Sequence, residues 1–345
     1  MHFCLVVLLA FLWSSSLSAR DAWQTTQLIW NCGLVPLCDH GPQCSPSVFC
    51  RQNKHLFRTA WYQDIQAGDL VWIQCRDLPR FVHEVLPSVS SSFVLVIGDG
   101  DDSFPSDLRG FNVEAFLTDD RVIHVFAQNN DYQGPSSKVS HLPIGIDYHS
   151  SAYRYCAGHQ GEATHPPLRQ EAQLLKILAE APPTWARKPR IFVDFQHFDS
   201  MRLAPFHRAE QFHEDRTSIF NFLVATGLVD FDATRLRRSH LWKRKSEYAF
   251  SVSPHGNGLD CHRTWEDLAL GCIVIVKTSP LDPLYEGLPV VIVQDWAEIT
   301  EENLHKWLKT FGDASTHPEY RRRISMQYWL DQMRTCAAPY KRSQQ

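Results

Sequence analysis

The sequence predicts an α/β protein made of two Rossmann-like domains facing a cleft, on three observations. Short runs rich in Val, Ile and Phe recur along the chain, each bounded by Gly, Pro or polar residues, as buried parallel strands do. The stretches between them have the length of helical crossovers. A Pro-rich joint, APPTWARKP, then splits the alternation into two halves of similar size. The expected division is residues 1–19 as a secretory signal, 20–182 as the first domain with a Cys-rich start, and 183–345 as the second.

The opening run, MHFCLVVLLAFLWSSSLSA, is apolar from Cys4 to Trp13 and ends in small residues. That is far shorter than the roughly 20 residues a membrane-spanning helix needs, and the small residues fit signal cleavage. Retention of this segment as an anchor is the competing reading. The chain is therefore expected to have no transmembrane helix after signal removal. It is expected to work in the secretory pathway, in the Golgi or endoplasmic reticulum lumen, or outside the cell. Ten cysteines suit such an oxidising compartment. Cys32, Cys38, Cys44 and Cys50 recur every six residues in a Gly/Pro-rich stretch, a spacing that favours disulfides over the tighter pairs of a zinc site. Cys272, inside an apolar run, reads as a buried thiol.

In the first half DLVWIQC, SFVLVIG and RVIHVFAQ read as strands and LRQEAQLLKILAEA as a helix. After the joint, RIFVDF, YAFSVS, CIVIV and PVVIV read as strands. Ala209–Thr226, Asp260–Leu270, Thr300–Phe311 and Pro318–Arg334 have helical spacing. The composition is ordinary for a globular protein, with 44% hydrophobic and 21% charged residues. A net charge of −4 argues against a general nucleic-acid binder. One basic run, Arg235, Arg237, Arg238, Lys243, Arg244 and Lys245, is either a solvated helix face or in part the lining of an anionic site.

The segment Tyr248–Val276, YAFSVSPHGNGLDCHRTWEDLALGCIVIV, carries the chemistry. Its order is strand, Gly-rich loop, polar helix, strand. That order sets backbone N–H groups and a helix N-terminus where a phosphate could bind. Gly256 and Gly258 permit close approach of a ligand, and Asp260 fits an N-cap. His255 and Asn257 add polar groups to the loop. Arg263 offers a fixed guanidinium fork for a diphosphate. Glu266, one turn on, could accept from ribose hydroxyls. Trp265, Leu268 and Ala269 form the buried side of the helix. A purely structural Arg263–Glu266 pair competes with the binding role.

This string resembles the donor-binding domain of exostosin-like (GT47-type) glycosyltransferases, which carry R-x-x-E on a helix followed by G-C-I-x-[IV]-V on a strand. Arg263, Glu266, Gly271, Cys272, Ile273 and Val276 match, while Val274 stands where proline is usual. The run from RIFVDF through HEDRTSIFN to SPLDPLYEGLPVVIVQDWAEIT is similar to the same family, including its ribitol xylosyltransferase branch. In the first half only VLVIGDGDDSFPSD and LPIGIDYHS support the resemblance. It implies a GT-B fold with the nucleotide on the second domain and the acceptor on the first. It implies that Arg263 and Glu266 bind the donor nucleotide-sugar with the Asn257–Gly258 loop beside its phosphates. Arg216, in HEDRTSIF with Glu214 and Asp215, would help neutralise the leaving diphosphate.

In the first half Asp99, Asp101 and Asp102 follow a strand whose carboxyl end points to the cleft of an open α/β sheet. D-G-D fits a D-x-D metal motif, but a donor loop in the second half makes that role redundant. Asp101 is the chosen catalytic base, with His83 and Asp131 as rivals. The expected function is transfer of a sugar, hexosyl or pentosyl, from a nucleotide-sugar to a glycan or glycoprotein hydroxyl with inversion. No cofactor and no metal are expected to be required, with Mn2+ stimulation left open. The alternatives are a secreted carbohydrate- or nucleotide-binding protein without turnover, and a metal-dependent transferase using Asp99 and Asp101.

Overall fold

The computed structural model describes residues 25–44, 57–153, 165–197, 215–234 and 236–342. The signal-peptide reading, Cys50, Glu214 and Arg235 fall outside these residues.

Two parallel sheets organise the chain. The first comprises β1 (Asp69–Ile73), β2 (Phe93–Ile97), β3 (Val122–Ala127) and β4 (Val139–His141), paired in sequence order. Helices α1 (Leu78–Glu84) and α2 (Val113–Leu117) lie in its crossovers. All five residues of β2 are buried, so it needs apolar side chains on both faces, and FVLVI supplies them. Short helix α3 (His149–Tyr153) follows, and then α4 (Pro167–Glu180). α4 starts with Pro at its first position, where the missing N–H costs nothing.

The second sheet comprises β5 (Lys188–Phe192), β6 (Val229–Asp230), β7 (Tyr248–Val252), β8 (Ile273–Lys277) and β9 (Val290–Val293). Its order is β6-β5-β7-β8-β9, all parallel. The chain leaves β5 toward one side for β6 and returns to the other side for β7. The reversal creates a switch point at the carboxyl ends of β5 and β7, where open α/β sheets hold ligands. Around it lie α5 (Arg216–Ala225), α6 (Arg238–Lys245) and α7 (His262–Ala269). Further on come α8 (Glu301–Phe311), capped by the Thr300 hydroxyl, and α9 (Pro318–Arg323).

The architecture is thus α/β with two Rossmann-like units, the layout a GT-B architecture requires. Two expectations need adjusting. The first is the helix expected over Asp260–Leu270, which begins at His262, with Cys261 as its N-cap. Asp260 instead accepts from the Ile144 N–H at 2.8 Å and the Trp265 indole at 2.9 Å, so its carboxylate joins the two halves. The second is the segment Pro318–Arg334, which breaks into α9 and a last helix, α10 (Met326–Arg342). α10 packs back on β1, β2 and β3 of the first sheet. Met326, Trp329, Leu330, Met333 and Ala337 recur at helical spacing and are all buried there. Burial contributes about 1.5–3 kcal/mol for each of the larger side chains. Next to this crossing, Leu28 pairs with Ser325 in an antiparallel bridge, tying the two ends of the described chain together.

Candidate functional site

A cavity of about 470 Å³ opens at the carboxyl ends of β5 and β6. Its walls come from Phe192–His197 at the end of β5, from Asp232, Ala233, Thr234 and Leu236 after β6, and from α6 and α7. The first half contributes Asp147.

Charge governs this site. Beyond β5 the backbone alternates, so Val193 and Phe195 go into the core while Asp194 faces the other way. Asp194 meets Lys245 Nζ at 2.6 Å and Arg263 Nε at 3.1 Å. The same ammonium reaches Asp267 at 2.7 Å. Burial pushes the Lys245 pKa down, but Asp194 and Asp267 outweigh it and hold the group firmly protonated. Burial also raises the Asp194 carboxyl, and Lys245 and Arg263 reverse this, leaving it below the usual carboxylate range. Asp267, wholly buried with Lys245 as its cation and Asp194 repelling it, is pushed up to about 6.

A second group lies one turn along both helices. Arg238 donates to Glu266, and the Trp242 indole donates to the other Glu266 oxygen at 3.1 Å. Arg238, Trp242 and Lys245 stand at i, i+4 and i+7 on α6 and are all buried. They meet Glu266 and Asp267 of α7. The basic run therefore divides: Arg238 and Lys245 belong to the site, whereas Arg237 and Lys243 are exposed. Periodicity within the run could have separated them.

Arg263 and Glu266 both line the cavity, one turn apart on α7. Each Glu266 oxygen already accepts one donor from α6, which fixes the carboxylate at the cavity wall with a second lone pair left on each oxygen. Arg263 differs. Its Nη1 is shut from solvent and has no hydrogen-bond partner among the described residues. Trp265, Leu268 and Ala269 occupy the opposite, fully packed side of α7.

The Gly-rich loop lies against the first half. Gly258 is pressed against the first half: a Cβ there would stand 2.8 Å from Asn129 Nδ2 and 3.1 Å from the Asp101 carbonyl. Asn129 also accepts from the Asp260 N–H at 2.8 Å. The loop is thus an inter-half contact. Arg216, at the start of α5, donates to the His255 carbonyl at 2.9 Å and to the Gln196 carbonyl at 3.3 Å. It braces the loop from behind, and burial with Arg263 nearby lowers its pKa. The His255 ring bonds the Leu259 carbonyl at 2.8 Å, and Asn257 is exposed. None of Arg216, His255, Asn257 and Gly258 lines the cavity.

Asp101 is exposed beside Gly258 in the crevice between the halves, outside the cavity. Asp99 turns inward with a left-handed backbone (φ 55°), accepting from Asn31 and Gln74 at 2.9 Å each. Asp102 faces Arg76 at 3.6 Å. Asp99 is thus held by neutral amides and Asp102 lies beside a guanidinium, while Asp101 is exposed. Of the rival bases, His83 is exposed on α1, and Asp131 is buried, accepts from the Ser106 N–H and has a raised pKa through burial. Asp194, Asp147 and His262 line the cavity without having been singled out from the sequence. Asp194 had one signal, an acid at the end of RIFVDF.

No family model and no curated protein matches the chain. Among solved structures, the chain is similar to α,α-trehalose 6-phosphate synthase from Burkholderia multivorans, at 13% identity and a TM-score of 0.38, over 87% of this chain and 76% of that one. It is also similar to sucrose-phosphate synthase from Thermosynechococcus elongatus, at 12% identity and a TM-score of 0.38, over 89% and 82%. A UDP-forming trehalose-phosphate synthase from Burkholderia xenovorans is 10% identical with a TM-score of 0.39, over 86% and 78%. None of these is named as an exostosin-like protein, and likeness at these scores carries no functional argument.

Proposed function

We propose that the protein is a glycosyltransferase that binds a nucleotide-sugar in the cavity at β5 and β6 and transfers the sugar to a glycan or glycoprotein hydroxyl. One observation carries this reading: Arg263 presents a buried, permanently charged N–H group with no hydrogen-bond partner among the described residues, at a topological switch point. Buried donors are rarely left without an acceptor, and a diphosphate oxygen is the acceptor a guanidinium fork suits. The exostosin-like motif residues lie on the same helix and strand, which supports that family and its ribitol xylosyltransferase branch as the source of the chemistry.

In this reading the acceptor oxygen attacks the anomeric carbon while the bond to the diphosphate breaks. The acceptor proton passes to Asp101, exposed in the crevice, and the electron pair leaves with the diphosphate toward Arg263. The configuration inverts. Arg216 and the loop of His255, Asn257 and Gly258 hold the two halves in register around that displacement. No cofactor is required for it, and the setting is the secretory pathway.

Thermal-shift and transfer assays with a panel of UDP- and GDP-sugars, with Mn2+ or with EDTA, test this. At least one nucleotide-sugar is expected to raise the melting temperature of the wild type and not of Arg263→Ala, with an inverted anomer in the product by NMR. Stabilisation with neither transfer nor hydrolysis would make the chain a binding protein. Absence of stabilisation by every nucleotide would end the proposal.

A further inference from the structure

At the rim of the cavity, where the first half meets α7, three ligand-type side chains converge: Asp147, His149 and His262. One potential ligand atom from each lies within 4.8 Å of the others. Asp147 and His262 line the cavity, and all three residues are partly buried.

Their hydrogen bonds are those of a prepared site. The His262 ring places Nδ1 2.7 Å from the Gly145 carbonyl. A carbonyl only accepts, so Nδ1 carries the proton and the lone pair sits on Nε2. That carbonyl is held rigidly: Gly145 has φ +70°, and a Cβ there would stand 2.2 Å from the Ile29 carbonyl oxygen. Histidine ligands are commonly oriented by such a second-shell acceptor. The Asp147 carboxylate is divided in the same way. Its Oδ1 accepts from the Ser150 N–H at 2.9 Å, while Oδ2 faces Arg238 at 3.8 Å. The His149 Nδ1 stands 3.1 Å from Asp147 Oδ1 yet is buried and makes no hydrogen bond among the described residues. Two ligands of one tetrahedral zinc are about 3.3–3.5 Å apart, so this separation is close to the edge of a coordination shell.

We propose that Asp147, His149 and His262 form a binding site for a divalent transition-metal ion of the zinc class, with an open coordination position toward the cavity. Two imidazoles and one carboxylate are the donor set such ions prefer. The site carries one negative charge, because Arg238 is neutralised by its bond to Glu266. It is distinct from the D-x-D segment and independent of the transfer reading: an ion here completes its shell with water or with an anionic ligand group.

The test is equilibrium dialysis of the full chain against Co2+ and Zn2+, reading metal content and the visible absorption of bound Co2+. One ion per chain is expected. His262→Ala and His149→Leu should each weaken it by about a hundredfold or more, beyond the 10–100-fold cost of losing a second-shell partner. Asp101→Asn should leave binding unchanged. His149→Leu leaves the His262–Gly145 hydrogen bond intact, so its melting temperature without metal should stay near that of the wild type even if His262→Ala unfolds. Failure of the wild type to retain either ion, or equal retention by His149→Leu, would overturn the site.

Discussion

Both parallel sheets end in polar groups at the carboxyl ends of their strands, and they resolve that polarity in opposite ways. In the first sheet the buried Asp99 carboxylate is surrounded by neutral donors, Asn31 and Gln74, while the Gln128 side chain accepts its backbone N–H. In the second sheet Asp194, Asp267 and Glu266 meet full cations, Lys245, Arg263 and Arg238, around a cavity. Neutral amides close a loop locally. Ion pairs hold charge in place beside open space, and one guanidinium retains donor capacity there. Equivalent positions in two similar sheets thus serve different ends, one sealed and the other receptive.

The contrast can be broken at its strongest point with Lys245→Met. Removing the ammonium leaves Asp194 and Asp267 buried against each other, and the expected loss is about 3–5 kcal/mol in urea denaturation. A loss under 1 kcal/mol would mean that the charge cluster is not what supports the second sheet. Asp194→Asn should cost about 1.5–3 kcal/mol at neutral pH, the range for hydrogen bonds to charged groups. Its pH dependence has a fixed sign. The Asp194 carboxyl is depressed in the folded chain, so its contribution is present above the unfolded value of 3.8 and fades as pH falls through the lower folded value. The stability gap between wild type and Asp194→Asn should therefore close in acid; a gap that widens would contradict the pairing.

Arg263→Ala sharpens the comparison on the ligand side. By calorimetry it should weaken nucleoside-diphosphate binding by about tenfold or more, equal to about 1.4 kcal/mol. In the first sheet, Asp99→Asn exchanges one acceptor for a donor facing Gln74 or Asn31. A cost of about 1 kcal/mol in stability with unchanged nucleotide affinity is expected. Altered nucleotide binding in Asp99→Asn would show that the two strand ends are not separate.

Much of this was legible in the sequence. Continuous runs such as FVLVI and CIVIV give strands because both faces of a parallel sheet must be apolar. The three-residue spacing from Arg263 to Glu266 does put both on one side of α7. The pairing of Glu266 was not legible, since it depends on α6 docking beside α7, although the spacing of Arg238, Trp242 and Lys245 marks which members of the basic run share a face. The two-residue strand β6 was too short to leave a periodic signal. LPIGIDYHS contributes Asp147 and His149 to a cluster completed by His262, more than a hundred residues later, a proximity created only by the fold.

The return of α10 to the first sheet gives the molecule two covalent links between its halves, one at Ala181–Arg187 and one at Ile324–Met326. One tether would permit swivelling in every direction, but two define a line. The only rigid-body movement that leaves both links unstrained is rotation about that line, as in a lid with two pins. Asp260, bonded to Ile144 and Asn129 away from those links, is then the latch. Cutting the chain after residue 325 would release one pin and strip the first sheet of its cover in a single step.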